Sequence, residues 1–194
     1  LFCNCKLSVG VYNLLDKGIK MRTKVVNFFG GPGCGKSTTA SLLFGNLKQN
    51  NYDAELVTEY AKELVWEDRT KTLANQMYVI GKQINRIETL LGKVDVVITD
   101  SPILLGQIYR GDHYPKEFDD VVKWQFDQHD NVNFFLKRVK PFNQNGRVHS
   151  LEESIENDNR ILDILNESNY SYYEINGDEA GVEEVIKIVK HILK

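Results

Sequence analysis

The fold of this chain is set by Gly30-Gly31-Pro32-Gly33-Cys34-Gly35-Lys36-Ser37-Thr38, which fits the pattern G-x-x-x-x-G-K-[ST]. A short apolar segment, residues 25–29, precedes it and predicts a buried strand. Residues 36–48 follow with the pattern of a helix. In such a strand, loop and helix, the backbone N–H groups of the loop point into one concavity, and the helix N-terminus adds partial positive charge. The segment therefore predicts a nucleoside triphosphate site.

The residues of this phosphate loop (residues 30–38) have separate predicted tasks. Lys36 would reach the β- and γ-phosphates, and Ser37 would offer its hydroxyl to Mg²⁺. The predicted nucleotide-binding residues of the loop are Gly31, Pro32, Gly33, Cys34, Gly35, Lys36, Ser37 and Thr38. ATP and Mg²⁺ are the expected cofactors. The alternative is a chance glycine-rich turn, which the flanking strand and helix patterns disfavour.

Composition and charge narrow the classes of function. A length of 194 residues suits one domain with a substantial core. The net charge of −3 and the pI near 5.9 argue against stable binding of nucleic acid, although a local basic patch for modified DNA is not excluded. No apolar run approaches the roughly 20 residues that a membrane helix needs. Oligomeric state cannot be read from the sequence.

The three cysteines favour a reducing, cytoplasmic location. Cys34 lies inside the phosphate loop, where a disulfide would obstruct the site. Cys3 and Cys5 are two positions apart in the sequence. In extended chain their Cα atoms would lie about 7 Å apart, which is poor geometry for an unstrained bridge.

Residues 1–20 do not match the start of this fold. They show no clear period and no helix caps, and they lack the charged n-region and the small-residue cleavage site of a signal peptide. Met21 comes just before the first predicted strand. We therefore expect residues 1–20 to be an extension that derives from an extended reading frame or from cloning, and residues 21–194 to form a single domain. The alternative is a native N-terminal arm.

A second apolar run, residues 94–99, ends in Asp100. A carboxylate after a buried strand is the expected second half of a triphosphate site, because it lies near the metal and its water. The next residue is Ser101, whereas ATPases that hydrolyse ATP for mechanical work usually have glutamate there to activate water. This difference favours transfer to a bound acceptor over hydrolysis. The alternative role of Asp100 is to cap the following helix.

Residues 53–57 predict another strand, and Glu59 follows it. Ligands collect beyond the carboxyl ends of parallel strands, and a carboxylate there can accept the proton of an attacking hydroxyl. Glu59 is therefore a catalytic candidate; its alternative role is to favour the dipole of the next helix. Tyr60, next to it, and Tyr109, in a later segment, are candidates for contact with the acceptor.

The clearest amphipathic pattern covers residues 72–91, where apolar residues recur at steps of three and four and predict one helix. These residues are Leu73, Met77, Ile80, Ile84, Ile87 and Leu91. Gln76 and Gln83 lie beside this stripe, and Gln83 is a candidate for a polar contact with the substrate. The alternative is that both glutamines are ordinary flanking polar residues.

Residues 133–136 predict a fourth strand, and a basic, turn-rich segment, residues 137–147, follows it. A short lid that carries Arg138 and Arg147 suits phosphoryl transfer, because charge spreads over the equatorial oxygens and planar guanidinium groups can close over them. The alternative is a solvated basic loop. A fifth strand is predicted to end at Asn176, in an Asn-Gly-Asp turn that we expect beside the nucleotide base.

Strands alternate with helices five times, which predicts an α/β fold with a parallel sheet covered on both faces. The run from about residue 24 to the C-terminus resembles P-loop proteins of the nicotinamide riboside kinase type, as in the kinase domain of the bacterial NAD-biosynthesis regulator. The likeness is carried by residues 30–37, by Glu59-Tyr60-Ala61-Lys62-Glu63, by Gln76 and Gln83, by Thr99-Asp100-Ser101 and by Gly146-Arg147. The expected architecture is a P-loop NTPase three-layer sandwich, with five parallel strands in the order 2-3-1-4-5 and a short lid.

The resemblance implies ATP, Mg²⁺ and a ribonucleoside-like acceptor. Animal relatives of this family bind GTP and phosphoinositides, and phages encode many small members. The adenylyltransferase domain that accompanies the kinase in the bacterial regulator has no counterpart in this sequence.

Three functions remain open at this point. The first is a small kinase that moves the γ-phosphoryl group of ATP to a hydroxyl of a nucleoside-like molecule, with either Glu59 or Asp100 as the base. The second is a kinase for hydroxymethylated bases in phage DNA, which the acidic pI disfavours. The third is a nucleotide-binding switch or a lipid-binding regulator, in either case without turnover. A GTP-specific regulator would need the motif Asn-Lys-x-Asp, which the sequence lacks.

Overall fold

A computed structural model of the chain describes residues 22–139, 141 and 150–194. Five parallel strands form one sheet in the order β2-β3-β1-β4-β5, which confirms the predicted fold class and strand order. The strands are β1 (Lys24–Phe29), β2 (Ala54–Val57), β3 (Val96–Thr99), β4 (Asp130–Lys137) and β5 (Tyr173–Asn176). The predicted extension at residues 1–20 lies outside the described residues.

Helices connect consecutive strands. They are α1 (Lys36–Gln49), α2 (Tyr60–Trp66), α3 (Thr70–Leu73), α4 (Gln76–Glu88), α5 (Gly106–Tyr109), α6 (Glu117–Asp127), α7 (Leu151–Glu167) and α8 (Glu179–Ile192), with a 3₁₀ turn at Ile103–Leu105 before α5. Within the described ranges, no helix combines the length and the apolarity that crossing a membrane requires. The cytoplasmic location stays a prediction.

The sheet is buried on both faces because its strands are nearly continuous runs of apolar residues. On one face, Val26 and Phe28 of β1 pack in a core cluster with residues of α1 and α8. On the other, Val25 and Phe29 belong to a second cluster that includes residues of α4, α5, α6 and α7. All four of these β1 side chains are at most 1% exposed. The two apolar layers make the three-layer sandwich that the sequence predicts.

The helix predicted over residues 72–91 is interrupted. Asn75 caps a new helix, because its side chain accepts a hydrogen bond from the backbone nitrogen of Tyr78. The preceding residues form the separate helix α3, and Met77, predicted to face the core, is 59% exposed. Gln76 and Gln83 are instead on the buried face of α4, with Val79, Ile80 and Ile87.

The strand order places three carboxyl ends side by side. Central β1 pairs with β3 on one side and β4 on the other, with Asn27 level with Thr99 and Phe29 level with Phe135. The segments that leave β1, β3 and β4 therefore start at the same edge of the sheet. Ligands of doubly wound sheets bind at such an edge, where the strand order reverses.

Candidate functional site

The phosphate loop turns sharply between β1 and α1. Gly33 and Gly35 have positive φ angles of 84° and 107°, a conformation that other residue types adopt only at a cost. Gly35 is also the N-cap of α1, and no side chain satisfies the first turn of that helix. The backbone N–H groups that begin α1 are thus available for an anion, as the motif predicts.

The ammonium group of Lys36 lies folded over the phosphate loop. Its Nζ atom donates hydrogen bonds to the carbonyl oxygens of Gly30 at 2.6 Å and Gly31 at 3.0 Å. These carbonyl groups supply oxygen partners that phosphate oxygens could replace.

The charges around Lys36 favour its protonated form. Burial alone lowers the pKa of Lys36, but the neighbouring groups of Cys34, Tyr109, Glu59 and Asp100 outweigh burial and raise that pKa above its usual value. Residues from the ends of three strands and from α5 are therefore within electrostatic reach of one amine. The structure brings these predicted site residues together.

Asp100 begins the segment after β3 and is 6% exposed. Its Oδ1 atom is buried and has no hydrogen-bond partner among the described residues. A buried carboxylate oxygen without a partner is costly, which makes a cation or an ordered water a fitting neighbour. Ser37, in the first turn of α1, is exposed and can offer its hydroxyl.

These two groups suit Mg²⁺ better than a metal that needs a complete protein cage. In residues 22–139, 141 and 150–194, no group of three or more His, Cys, Asp or Glu side chains could hold an ion by itself. Mg²⁺ is commonly bound by one or two protein groups together with substrate phosphates and waters. Ser37 and Asp100 fit that pattern, and their role as metal ligands stays a prediction.

Glu59 lies between β2 and α2, at the N-cap position of the helix. The next residue, Tyr60, is held by Gln83. The Oε1 atom of Gln83 accepts a hydrogen bond from the Tyr60 backbone nitrogen at 3.1 Å, and its Nε2 atom donates to Thr99 Oγ1 at 3.3 Å. Gln83 is 5% exposed. Both ends of its amide therefore join the Glu59 turn to the Asp100 turn, and a contact between Gln83 and substrate stays a prediction.

The two tyrosines predicted to contact the acceptor lie in different surroundings. Tyr60 is 8% exposed and packs against α4, with its hydroxyl 3.2 Å from that of Tyr78. Burial raises the pKa of Tyr109, Lys36 lowers it, and Glu59 raises it further, so Tyr109 faces the same group of charges as the lysine. Of the two, Tyr109 is the one within electrostatic reach of Lys36 and Cys34 in the phosphate loop.

Arg138 follows β4 and lies across the front of the phosphate loop. Its Nη1 donates to Pro32 O at 2.9 Å, and its Nη2 donates to Ser154 Oγ at 2.5 Å and to Asp158 Oδ2 at 3.0 Å. Arg147 and most of the predicted lid lie outside the described residues, so a role for Arg147 stays a prediction.

Sequence reasoning missed Ser154 and Asp158. They are four residues apart on α7, in the first turns of the helix. Ser154 is fully buried, and Ile161 and Leu165 continue the same face into the core. The one signal in the sequence was that Ser154 is in line with Ile161 and Leu165 on the same helical face. A serine at such a position is usually solvated, so this signal is weak.

A cavity of about 200 Å³ opens beside the phosphate loop, between the start of α1 and the start of α8. Drug-sized ligands fill roughly 300–1,000 Å³, so this cavity suits a flat heterocycle rather than a whole nucleotide. Its lining includes Gly35, Thr38, Leu42, Pro141, Gly177 and Val182. Asn176, the predicted neighbour of the base, is exposed one residue before Gly177, and its contact with the base stays a prediction.

Comparison with known families agrees with this geometry. A family model described as an AAA domain matches residues 25–184, from β1 into α8. The comparison with curated proteins gives no match to the chain. The matched region contains the phosphate loop, Glu59, Asp100 and Arg138.

Proposed function

Since this chain belongs to the AAA domain family, we propose that it is an ATP-dependent kinase for a small molecule. The enzyme would transfer the γ-phosphoryl group of ATP to a hydroxyl of a nucleoside-like acceptor. The likeness to the nicotinamide riboside kinase type supports the choice of acceptor class. Membership of this family supports nucleotide binding by a P-loop domain.

The observation that carries this proposal is the convergence of Lys36, Glu59 and Asp100 at the carboxyl edge of β1, β2 and β3. Burial alone lowers the pKa of Lys36, but its neighbours, both carboxylates included, raise it. One cation and two carboxylates in reach of one another are the groups that phosphoryl transfer needs, because its catalysis is mainly positioning and electrostatic stabilisation.

In the proposed reaction the acceptor hydroxyl oxygen attacks the γ-phosphorus. A new P–O bond forms, and the bond between the γ-phosphorus and the β–γ bridging oxygen breaks, so that ADP leaves with the electron pair. The hydroxyl proton passes to the carboxylate of Glu59 or Asp100. Lys36 and Arg138 stabilise the charge on the phosphoryl oxygens. Mg²⁺, held by Ser37 and Asp100, would supply further neutralisation of phosphate charge.

Transfer is favoured over hydrolysis by the residue after Asp100. Ser101 occupies the position where hydrolytic relatives usually have a glutamate, and its backbone nitrogen donates to Thr99 Oγ1 at 3.1 Å. A serine there is no general base for water. Glu59, on the neighbouring turn, is instead next to the expected position of a bound acceptor.

A small acceptor is favoured over DNA by the charges beside Tyr60. Arg86 lies with its guanidinium 4.8 Å from the centre of the Tyr60 ring. However, Arg86 pairs with Glu63 at 2.8 Å, and Arg69, also near that ring, pairs with Glu67 at 3.0 Å. These ion pairs leave little net positive charge at this surface to bind the phosphate backbone of DNA.

The test is an assay with ATP labelled on the γ-phosphate. The protein is incubated with Mg²⁺ and a panel of nicotinamide riboside, nucleosides, nucleoside monophosphates and DNA with hydroxymethylated bases. We expect the label to appear on a small nucleoside-like acceptor. Glu59→Gln should slow transfer while leaving ATP binding intact, and Asp163→Asn, an exposed position on α7, should change neither.

Other outcomes separate the alternatives. Label on DNA would replace the small acceptor by the modified base. Label released only as free phosphate would make the protein a hydrolase, and ATP binding without any release would make it a nucleotide-binding regulator.

A further inference from the structure

Arg138 is a largely buried cation that is held by the phosphate loop and by α7. Its side chain is only 12% exposed. Through its Nη1 and Nη2 it donates to a loop carbonyl at Pro32 and to Ser154 and Asp158 of α7. A guanidinium with several fixed partners has little freedom to change its orientation. The direction of this side chain is therefore set largely by α7.

Asp158 binds the phosphate loop as well as Arg138. Its Oδ1 accepts a hydrogen bond from the backbone nitrogen of Gly31, while its Oδ2 lies 3.0 Å from Arg138 Nη2. Ser154 in turn donates from Oγ to Pro32 O at 2.6 Å. One carboxylate thus holds the loop backbone and the arginine at once, and the hydroxyl next to it holds the same two parts.

The packing leaves little freedom at this contact. A Cβ atom on Gly31 would overlap the carbonyl oxygen of Ser154 and would lie 2.9 Å from Asp158 Oδ1. Burial raises the pKa of Tyr109, and Asp158 is one of the groups that raise it further, so this carboxylate is within electrostatic reach of the same tyrosine as Lys36.

We infer that Asp158 is a positioning residue that holds Arg138 against the phosphate loop, ready for the γ-phosphate of ATP. This inference rests on the proposed function, because it assumes that the loop binds ATP. A buried arginine with a fixed direction can meet the terminal phosphate without first losing conformational freedom. Asp158 keeps the buried positive charge compensated until the phosphate arrives.

Arg138 in this position would discriminate between ATP and ADP. Arg138 would contact the phosphate that ADP lacks, whereas the amides of the phosphate loop hold the phosphates that both nucleotides share. Loss of Asp158 should therefore weaken binding of an ATP analogue more than binding of ADP, which loses only the support that Asp158 gives to Gly31. A merely structural role for Asp158 would weaken both nucleotides together.

A double-mutant cycle tests this. Binding of ADP and of the non-hydrolysable analogue AMP-PNP, each with Mg²⁺, is measured by calorimetry for the wild type, Asp158→Asn, Arg138→Ala and the double variant. We expect each single variant to reduce the preference for AMP-PNP over ADP by about tenfold. The double variant should lose no more than Arg138→Ala alone, because Asp158 acts through the arginine.

Two controls accompany the cycle. Asp163→Asn removes an exposed carboxylate from the same helix and should keep the wild-type preference. Ser154→Ala removes one hydrogen bond to Arg138 without removing charge, and should reduce the preference in the same direction by a smaller factor. Ser154→Ala also tests the positioning role if Asp158→Asn does not fold.

The inference is overturned if Asp158→Asn keeps the wild-type preference, if both nucleotides weaken equally, or if the double variant loses a further tenfold. If Asp158→Asn does not fold, wild-type behaviour of Ser154→Ala overturns it. A wild type that binds neither nucleotide overturns both this inference and the proposed function. A wild type that follows the expected cycle but phosphorylates no acceptor supports the positioning role and removes the kinase proposal alone.

Discussion

Gln83 Oε1 lies 3.1 Å from the backbone nitrogen of Tyr60 and accepts its hydrogen bond. The other end of the same amide donates to Thr99. A single buried side chain on α4 therefore fixes the spacing between the turn that carries Glu59 and the turn that carries Asp100. The two candidate bases are parts of one connected unit.

Replacing Gln83 by leucine should destabilise the protein by about 1–3 kcal/mol, because it leaves the buried backbone N–H of Tyr60 without this acceptor and removes one of the two hydrogen bonds that Thr99 Oγ1 accepts. Urea denaturation measures the change in the free energy of unfolding. Gln49→Leu, at an exposed position at the end of α1, should change it by no more than about 0.5 kcal/mol. Equal effects of the two substitutions on the free energy of unfolding would show that the hydrogen bonds of Gln83 do not stabilise the fold.

Replacing Lys36 by alanine should abolish phosphoryl transfer and weaken AMP-PNP binding by at least about tenfold, because a charge-assisted contact with phosphate is lost. The measurements are calorimetric titration and the labelled-ATP assay. Lys48→Ala, at the last turn of the same helix, removes an exposed lysine 3.7 Å from Glu55 and should bind nucleotide normally. Undiminished transfer by Lys36→Ala would refute the assigned site.

The charge of Lys36 should make nucleotide binding insensitive to mild alkali. Burial lowers its pKa, but the surrounding groups raise the pKa above the usual value of 10.5. The amine therefore stays protonated between pH 7 and pH 9, and any stability that it contributes is lost only as the pH rises through the folded-state pKa. AMP-PNP affinity should stay level over that range; a steep fall between pH 7 and pH 9 would contradict a raised pKa.

Gly177 should tolerate no side chain. A Cβ atom there would overlap the carbonyl oxygen of Cys34 and lie 3.1 Å from that of Lys137. Gly177→Ala should push the turn after β5 away from the phosphate loop, at a cost of about 1–3 kcal/mol, and weaken nucleotide binding. Thermal unfolding and calorimetry measure the two effects.

The matched control for this substitution is Gly45→Ala. Gly45 is inside α1, and nothing lies within 4 Å of its Cβ position. Because alanine favours a helix, this variant should be more stable by about 0.5–1 kcal/mol. A stable Gly177→Ala protein with normal nucleotide affinity would show that the turn and the loop are not in contact.

His129 should make the protein less stable in mild acid. It is 7% exposed, and neither of its ring nitrogens has a hydrogen-bond partner in the described part of the chain. Burial lowers the pKa of His129 below its usual value, with a smaller opposing effect of Glu88. The unfolded chain binds this proton near pH 6.5, about where free histidine titrates, whereas the folded chain binds it only at lower pH.

Stability from His129 is therefore complete above pH 6.5 and falls as the pH drops towards the folded-state pKa. The free energy of unfolding of His129→Leu should depend less on pH below 6.5 than that of the wild type. His191→Gln, at an exposed position in the last turn of α8, should follow the wild-type curve. Identical curves for all three proteins would show that His129 is not the titrating group.

The parts of the fold that the sequence predicted well are those that depend on local pattern. The phosphate loop, the strand before Asp100 and the turn at Glu59 are each defined by a few consecutive residues, and the parallel sheet follows from the alternation of strands and helices. The carboxyl ends of parallel strands meet at one edge, so Lys36, Glu59 and Asp100 could be grouped from the order of their residues alone.

The contacts between distant segments could not be predicted in this way. The start of α4 depends on a single cap at Asn75, which the apolar period across residues 72–91 conceals. Ser154 and Asp158 are polar residues near the start of a charged helix, and nothing local shows that they face the phosphate loop rather than water. Their role depends on the tertiary packing of α7 against β4 and the loop.

The bonds from Lys36 to the carbonyl groups of Gly30 and Gly31 also bear on selectivity among anions. Any incoming anion must displace internal partners that are already well placed, so a weakly held ion such as sulfate or free phosphate gains little from occupying the loop. A triphosphate gains more, because several oxygens bind at once. The carbonyl groups of Gly30 and Gly31 thus compete with small anions for the ammonium group of Lys36.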